Sequence, residues 1–188
     1  MTRNILLVGV GGQGTILASR LLTIGLMEAG YDVKMSEIHG MSQRGGSVSS
    51  QVRYGEKVDA PVIEPGTADI LVSFEELEAL RWLSYLNPRG QIIVNRYRIN
   101  PPAVSAGNAL YPEGICEELA EKAATTVVDA GEEARKLGNV RVMNSILLGA
   151  TIKRMELESI NWEAIIRANV KSPLVDINLQ ALRRGLAL

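Results

Sequence analysis

The sequence predicts an α/β protein with a three-layer α/β/α, Rossmann-like architecture, in which helices cover both faces of a mixed, largely parallel sheet. Two observations carry this prediction. An apolar run at residues 4–10 is followed at once by closely spaced glycines and a helical pattern, and the second half of the chain again alternates strand-like and helix-like segments. Helices are expected at the C-terminus.

The first strand and helix are the clearest elements. The nearly unbroken apolar run at residues 4–10 is typical of a central strand that is covered on both faces. Beyond the glycines, apolar residues from Leu17 to Met27 recur at spacings of three and four, which predicts a helix with one buried face and Gly30 as its C-terminal cap.

The next three segments predict strand, loop and strand. Residues 31–36 alternate between apolar and polar, residues 37–46 lose all periodicity, and residues 47–54 alternate again, which predicts a strand with one wetter face. Because the loop is too short for a helical crossover, we expect this third strand to run antiparallel to its neighbour.

The remaining elements follow from the same patterns. Strands are expected at residues 70–74, 91–95 and 125–129, and helices at residues 75–86, 113–124, 131–137, 143–154, 160–170 and 173–186, with a turn at 87–90 and an irregular stretch from residue 101. Without repeats, low-complexity tracts or long linkers, residues 1–188 are expected to form a single domain.

Composition excludes several classes of function. The net charge is −1 and the pI is about 5.9, so no global field attracts nucleic acid or an anionic membrane. No apolar stretch is long enough for a signal peptide or a membrane span, and a cytoplasmic protein is expected. The lone cysteine, Cys116, excludes an internal disulfide, a cysteine-ligated iron–sulfur cluster and a structural zinc site within this chain.

The glycines at residues 9–14 are the first candidate site. Gly9, Gly11 and Gly14 follow a buried strand and open a helix, where unpaired N–H groups and the helix dipole favour a phosphate or carboxylate. The alternative is that the glycines serve only close packing of helix on sheet. For a dinucleotide ligand, an acid about 20 residues on should bind a ribose hydroxyl, and Glu37 is the candidate; because it leads directly into a glycine-rich loop, the favoured alternative is that it is solvated there.

A second candidate site lies in the loop after the second strand. This loop holds the only histidine, His39, the hydroxyl of Ser42, and Arg44 followed by Gly45 and Gly46. Arg44 is placed to clamp a phosphate or carboxylate; the alternative is an ordinary salt bridge, with His39 capping a turn. Both loops follow strands at their carboxyl ends, where α/β sheets place ligands, so we expect them to line one crevice.

No complete catalytic set is visible. The sequence offers no Ser/His/Asp arrangement and no paired metal-ligand spacing, and Thr15 stands where a P-loop would carry lysine. Three acids near the expected helix 75–86, together with a basic residue, suggest a solvated helix start, and two tryptophans on expected helices suggest core or interface positions. The acids are Glu75, Glu76 and Glu78, the basic residue is Arg81, and the tryptophans are Trp82 and Trp162.

Taken together, the two loops identify a family resemblance. Gly-Val-Gly-Gly-Gln-Gly at residues 9–14 and Ser-Glu-Ile-His-Gly-Met-Ser-Gln-Arg-Gly-Gly at residues 36–46 resemble the gamma-type subunit of 2-oxoacid:ferredoxin oxidoreductases, and within that family the branch that acts on indolepyruvate. The resemblance covers most of the chain, including residues 144–153 and the helical tail.

The resemblance implies an accessory role in oxidative decarboxylation of a 2-oxoacid to acyl-CoA and carbon dioxide. It implies a large catalytic partner subunit that holds thiamine diphosphate, magnesium and iron–sulfur clusters, with ferredoxin receiving electrons through the complex. It implies no metal and no catalytic residue in this chain, and makes coenzyme A the expected ligand of the glycine loops.

The positions that the resemblance implies fall into two groups. The cofactor-binding or interface-facing positions are Gly9, Gly11, Gly12, Gln13, Gly14, Arg44, Gly45 and Gly46, and the substrate-proximal positions are His39 and Ser42. Two other hypotheses remain open from the residues alone: an independent nucleotide-binding dehydrogenase, and a non-catalytic assembly module whose glycine loops only pack.

Overall fold

The structure is a computed structural model that describes residues 2–39 and 45–188. Six strands form one mixed sheet in the order β2-β3-β1-β4-β5-β6. The strands are β1 (Arg3–Val10), β2 (Asp32–His39), β3 (Ser47–Gly55), β4 (Ala68–Ser73), β5 (Leu86–Asn95) and β6 (Ala124–Val128). Strand β3 is antiparallel to both of its neighbours, and the other neighbouring pairs are parallel. The mixed sheet and its antiparallel third strand are confirmed.

Helices cover both faces of the sheet. They are α1 (Thr15–Glu28), α2 (Glu76–Arg81), α3 (Pro102–Ser105), α4 (Ile115–Lys122), α5 (Ala130–Lys136), α6 (Met143–Arg154), α7 (Trp162–Asn169) and α8 (Val175–Leu186). Alternate residues of β1 enter different cores: Leu7 joins the core beneath α1 and α5 to α8, and Leu6 joins the core beneath α2 and α4. This two-sided burial explains the unbroken apolar run of β1 and confirms the three layers.

Strand β3 is buried on both faces, so the predicted wetter face is wrong. Ser49 and Gln51 are on that face and are nevertheless buried. The reason is the connection after β3, which folds back over the sheet: the Ile63 amide donates to Gln51 Oε1 at 2.6 Å, and Arg53 donates to the carbonyl oxygen of Ala60 at 2.8 Å. Polar residues on this face therefore indicate a covering loop and not solvent.

Three other predictions also differ from the structure. The predicted loop 37–46 begins too early, because β2 continues to His39 through its pairing with β3. The predicted helix 75–86 stops at Arg81, since Trp82 leaves helical geometry at φ −100° and ψ 5°, and a 3-10 turn follows at Leu83–Tyr85. The predicted turn 87–90 is instead the irregular start of β5.

The C-terminal helices confirm the predicted helical tail. Helices α6 and α8 pack so closely that their backbones touch at Gly149 and Gly185. The Ser145 hydroxyl on α6 donates to Asn178 Oδ1 on α8 at 2.6 Å, which adds a buried polar link between them. Among the helices that the structure describes, none has the length and apolar character needed to cross a bilayer.

Candidate functional site

The glycine turn joins β1 to α1 as predicted. Gly12 has φ 102° and Gly14 has φ 84°, two left-handed conformations that favour glycine. Both positions lie at the carboxyl edge of the parallel strands, the edge at which α/β sheets place ligands.

The glycines of this turn divide into packing positions and an open position. A Cβ on Gly9 would lie 2.9 Å from Phe74 Cβ, and a Cβ on Gly14 would lie 2.5 Å from Asn144 Nδ2, so both glycines permit close packing. A Cβ on Gly12 would meet no atom of residues 2–39 or 45–188 within 4 Å. The packing alternative therefore accounts for Gly9 and Gly14 but not for Gly12, whose role at a ligand stays a prediction.

Gln13 holds the turn together. Its side chain is buried, with Oε1 accepting from the Val10 amide at 2.8 Å and Nε2 donating to the Phe74 carbonyl oxygen at 2.8 Å. The backbone N–H of Gln13 donates to the carbonyl oxygen of Val10 at 3.2 Å. These bonds commit both ends of the side chain to the fold, so the role that the structure supports for Gln13 is to fix the turn.

The start of α1 leaves backbone donors free. Within residues 2–39 and 45–188, the amides of Gly12, Gly14 and Thr15 have no acceptor. Helix α1 also lacks a capping side chain and has no acid in its first turn, so its own residues do not neutralise the partial positive charge of its N-terminus. The anion-binding role of this turn stays a prediction, and these free donors supply its chemistry.

The second loop meets the glycine turn directly. The Gly11 amide donates to the carbonyl oxygen of Gly46 at 2.9 Å, which brings the two predicted segments together at one edge. Of the other predicted residues, Ser42 and Arg44 lie outside the described residues, and His39 is described only as the last residue of β2, paired with Val48. Their proposed roles stay predictions.

A cleft of about 280 Å³ lies beside this junction. It is lined by Val10, Gly45, Gly46, Ser47, Glu75, Leu77, Glu78, Arg81, Ile99, Pro101 and Pro102. The first four residues come from the two glycine-containing segments, and the others come from α2, the residue before it, and the segment after β5.

The acids near α2 are buried, which contradicts the predicted solvated helix start. Glu75, Glu76 and Glu78 are 1%, 3% and 1% exposed. Each carboxylate is turned inward onto donors of this chain, and such pairing is what makes a buried carboxylate tolerable. Arg81 is half-exposed and donates from Nη1 to Glu78 Oε1, 2.5 Å away.

Glu75 accepts three hydrogen bonds. Its Oε2 accepts from the Glu78 amide at 2.9 Å, and its Oε1 accepts from the Ile99 amide at 3.1 Å and from the Tyr111 hydroxyl. The same Tyr111 oxygen accepts from the Leu77 amide at 3.1 Å. Burial, and then the hydrogen bond to Glu75, raise the pKa of Tyr111 well above its usual value, so the phenol stays protonated.

Glu76 and Glu78 have different hydrogen-bond partners. Arg98 Nε donates to Glu76 Oε2 at 2.9 Å, and the Arg98 guanidinium lies 5.2 Å from the centre of the Tyr111 ring. Glu78 Oε2 accepts from the Ser47 hydroxyl. The charged residues among those that line the cleft are Glu75, Glu78 and Arg81, which carry a formal charge of −1.

Sequence reasoning missed Glu75, Arg98 and Tyr111 as members of this site. Glu75 follows a buried parallel strand at its carboxyl end, which is a typical position for a site residue and could have identified it. Arg98 and Tyr111 lie in a segment without periodicity, and no sequence signal relates them to Glu75 or Glu76.

The other predicted residues lie away from the cleft or in the core. Glu37 accepts a hydrogen bond from the Ser19 hydroxyl at 3.1 Å, and β3 separates its strand from β1. Trp162 is buried beneath α1, and Trp82 packs partly buried on the core beneath α2. Burial raises the pKa of the Cys116 thiol. In the described parts of the chain, no cluster of three His, Cys, Asp or Glu residues is placed to hold a metal.

Comparisons with known proteins agree with this architecture. Residues 4–188 match the family described as pyruvate ferredoxin/flavodoxin oxidoreductase. The chain is 42% identical to the indolepyruvate oxidoreductase subunit IorB of Archaeoglobus fulgidus, over 98% of this chain and 94% of that protein.

Two solved structures share the fold. The pyruvate oxidoreductase subunit PORC from Thermotoga maritima superposes with a TM-score of 0.73 at 24% identity, over 99% of this chain and 96% of that one. A 2-oxoglutarate:ferredoxin oxidoreductase from Magnetococcus marinus, solved with coenzyme A bound, gives a TM-score of 0.75 at 18% identity, over 99% of this chain and 30% of that one. The chain is also 26% identical, over 94% of its length, to the common gamma subunit of the pyruvate/ketoisovalerate oxidoreductases of Pyrococcus furiosus. The chain therefore belongs to the pyruvate ferredoxin/flavodoxin oxidoreductase family, in which it corresponds to a gamma-type subunit.

Proposed function

We propose that this subunit completes the acyl-acceptor site of an indolepyruvate oxidoreductase, with phosphate groups of coenzyme A bound at the glycine turn. The observation that carries the proposal is the uncapped start of α1, where the amides of Gly12, Gly14 and Thr15 are free among the described residues. Backbone donors at a helix N-terminus are a common phosphate site. Indolepyruvate is the substrate named for the relative that is 42% identical.

The charges of the cleft suggest how the ligand would lie. The buried carboxylates of Glu75 and Glu78 disfavour a phosphate between them, whereas the glycine turn lacks nearby acid in its helix. A diphosphate at the turn and a neutral pantetheine arm along the cleft would match this division. The amides of that arm can pair with polar groups such as the Ser47 hydroxyl.

The rest of the reaction would belong to a larger catalytic subunit. In the proposed complex, that subunit holds thiamine diphosphate, magnesium and iron–sulfur clusters, and ferredoxin receives the electrons released when the 2-oxoacid is converted to acyl-CoA and carbon dioxide. This chain would contribute the acceptor-binding surface, and the cytoplasm is the proposed location.

The strand order argues against an independent dehydrogenase. In that hypothesis, the acid that binds the ribose lies at the end of a strand next to β1. Here β3 lies between β1 and β2, so Glu37 is two strand spacings, roughly 10 Å, from the glycine strand. The assembly hypothesis differs in predicting that the glycine turn has no affinity for an anion, so calorimetry that detects no coenzyme A binding to the reconstituted complex would favour it.

The proposal is tested by co-purification and reconstitution. The complex from the native source should contain a large thiamine- and iron-containing partner and should reduce viologen only with both an aryl pyruvate and coenzyme A. Isolation of this chain without such a partner would contradict the proposal.

A charge placed at the start of α1 tests the glycine turn itself. Ile16 is 48% exposed in the first turn of α1, so Ile16→Glu is compatible with the helix and adds a carboxylate beside the free amides. We expect Ile16→Glu to raise the KM for coenzyme A about tenfold in the reconstituted complex, equivalent to about 1.4 kcal/mol, because it repels the phosphates.

The matched control is Ile16→Gln, which has the same length without the charge. It should leave the KM for coenzyme A within about twofold of the wild-type value. Equal values of KM for Ile16→Glu and Ile16→Gln would show that the turn does not bind an anionic part of the acceptor.

A further inference from the structure

We infer that Glu75 is a positioning residue for the acceptor site: with Tyr111 it fixes the wall of the cleft that is formed by the segment after β5. This inference rests on the proposed function, since the cleft matters to turnover only if the acceptor lies in it. Glu75 would act through the shape of the wall, and a direct contact with the acceptor is not required.

The wall has little regular structure of its own. Between β5 and α4 the chain runs through residues 96–114 with only the short helix α3, and Ile99, Pro101 and Pro102 from this segment line the cleft. Loops of this kind are positioned by the scaffold to which they are attached.

Glu75 provides two of the attachments between that segment and α2. Its Oε1 binds the backbone of Ile99, which lines the cleft, and the hydroxyl of Tyr111, which lies near the far end of the segment. The other attachments are the backbone bond from Glu76 to Tyr97 at 3.0 Å, the pair of Arg98 with Glu76, and the bond from the Leu77 amide to Tyr111. A single buried carboxylate thus links the two ends of the irregular segment to the start of α2.

The bonding pattern requires a carboxylate at this position. Both oxygens of Glu75 accept hydrogen bonds, and none of its three partners is an acceptor toward it. A glutamine would turn its amide group toward at least one N–H or O–H donor and lose a hydrogen bond there. The full charge also strengthens each of the three bonds.

The Tyr111 hydroxyl is the most selective point at which to test this role. Tyr111→Phe removes the donor to Glu75 and leaves the Leu77 amide without its acceptor, but retains the ring beneath Arg98. In the reconstituted complex we expect the KM for coenzyme A to rise about five- to tenfold, with kcat changed less than about twofold, because binding geometry changes and the reacting groups belong to the partner.

Tyr85→Phe is the matched control. Tyr85 packs against Trp82 with ring centres 4.9 Å apart, and its hydroxyl makes no hydrogen bond to the described residues. Loss of this hydroxyl should leave KM and kcat near the wild-type values. Glu75→Gln is the second test variant and should change KM in the same direction as Tyr111→Phe.

The outcomes separate this inference from the proposed function. If Ile16→Glu raises the KM for coenzyme A but folded Tyr111→Phe and Glu75→Gln only lower the melting temperature, Glu75 is a structural residue and the inference is overturned. If Ile16→Glu has no effect on KM, the proposed function itself fails. If Tyr111→Phe does not fold, Glu75→Gln tests the inference in its place. A raised KM for coenzyme A in Glu75→Gln supports the inference, and an unchanged KM overturns it.

Discussion

Gly185→Ala is expected to destabilise the protein by about 3 kcal/mol, the upper part of the usual range for overpacking. A Cβ at Gly185 would lie 1.9 Å from the carbonyl oxygen of Ile146 and 2.9 Å from the Ala150 amide nitrogen, both in α6. These are backbone atoms, so relief requires that α6 and α8 move apart. Urea unfolding at neutral pH, monitored by circular dichroism, should show the loss as a lower midpoint.

The control is Arg184→Ala, one residue earlier in α8. The Arg184 side chain is 59% exposed and approaches Glu133 only to 3.8 Å, so its removal should change stability by less than about 0.5 kcal/mol. A Gly185→Ala protein as stable as Arg184→Ala would mean that the helices do not pack at the described distance.

The same helix pair supports the glycine turn. Asn144, near the start of α6, donates to the carbonyl oxygen of Gly14 at 3.4 Å, and the next residue, Ser145, is bonded to Asn178 of α8. The turn is therefore backed by the C-terminal helices as well as by its own strand. Separation of α6 from α8 should affect the glycine turn as well as global stability.

The sequence predicted the elements whose signals are local. Strand β1, the glycine turn and α1 were identified for two reasons. A strand that is covered on both faces has a continuous apolar sequence, and glycines at a strand-to-helix turn form a compact pattern. Helix α6 (Met143–Arg154) was predicted with the observed bounds. The antiparallel course of β3 followed from the length of a single loop.

The features that were missed depend on contacts between distant residues. The alternation in β3 suggested solvent, but its polar face is covered by a connection that periodicity does not reveal. The acids near α2 were predicted to be solvated because their partners are distant in the sequence. Glu76 pairs with Arg98, 22 residues away, and Glu75 pairs with Tyr111, 36 residues away. A charged residue is assigned to the surface until its partner is known.

The candidate site shows the same limit at the level of single residues. The pattern at residues 9–14 predicted one role for all its members, whereas in the structure Gly9 and Gln13 pack within the fold and Gly12 contacts nothing among the described residues. Spacing identifies such a turn, and only the neighbouring atoms show which glycines could face a ligand.

Arg98→Ala is expected to destabilise the protein by about 2 kcal/mol, since it leaves the Glu76 carboxylate buried without its cation. The Glu76 side chain is 4% exposed and its bond to Arg98 is 2.9 Å long. Removal of one partner of a fully buried pair costs about 3–5 kcal/mol, and the lower figure here reflects the 44% exposure of Arg98 and its contact with water.

A double-mutant cycle isolates the pair. In urea unfolding, Glu76→Gln combined with Arg98→Ala should be more stable than Arg98→Ala alone, because the uncompensated charge is gone and only a neutral amide remains buried. Arg167→Ala is the exposed control: Arg167 and Glu163 are bonded at 2.7 Å but are 52% and 48% exposed, so their pair should contribute less than about 0.5 kcal/mol.

Salt dependence distinguishes the two pairs further. Raising the ionic strength should reduce the stabilising contribution of the Arg167–Glu163 pair more than that of the Arg98–Glu76 pair. The reason is that both residues of the first pair are exposed to salt ions, whereas Glu76 is buried. If Arg98→Ala costs no more than Arg167→Ala, the buried acid does not depend on its cation. The irregular segment that carries Arg98 would then be held to the start of α2 by the two bonds of Glu75, by the backbone bond between Glu76 and Tyr97, and by the bond from the Leu77 amide to Tyr111.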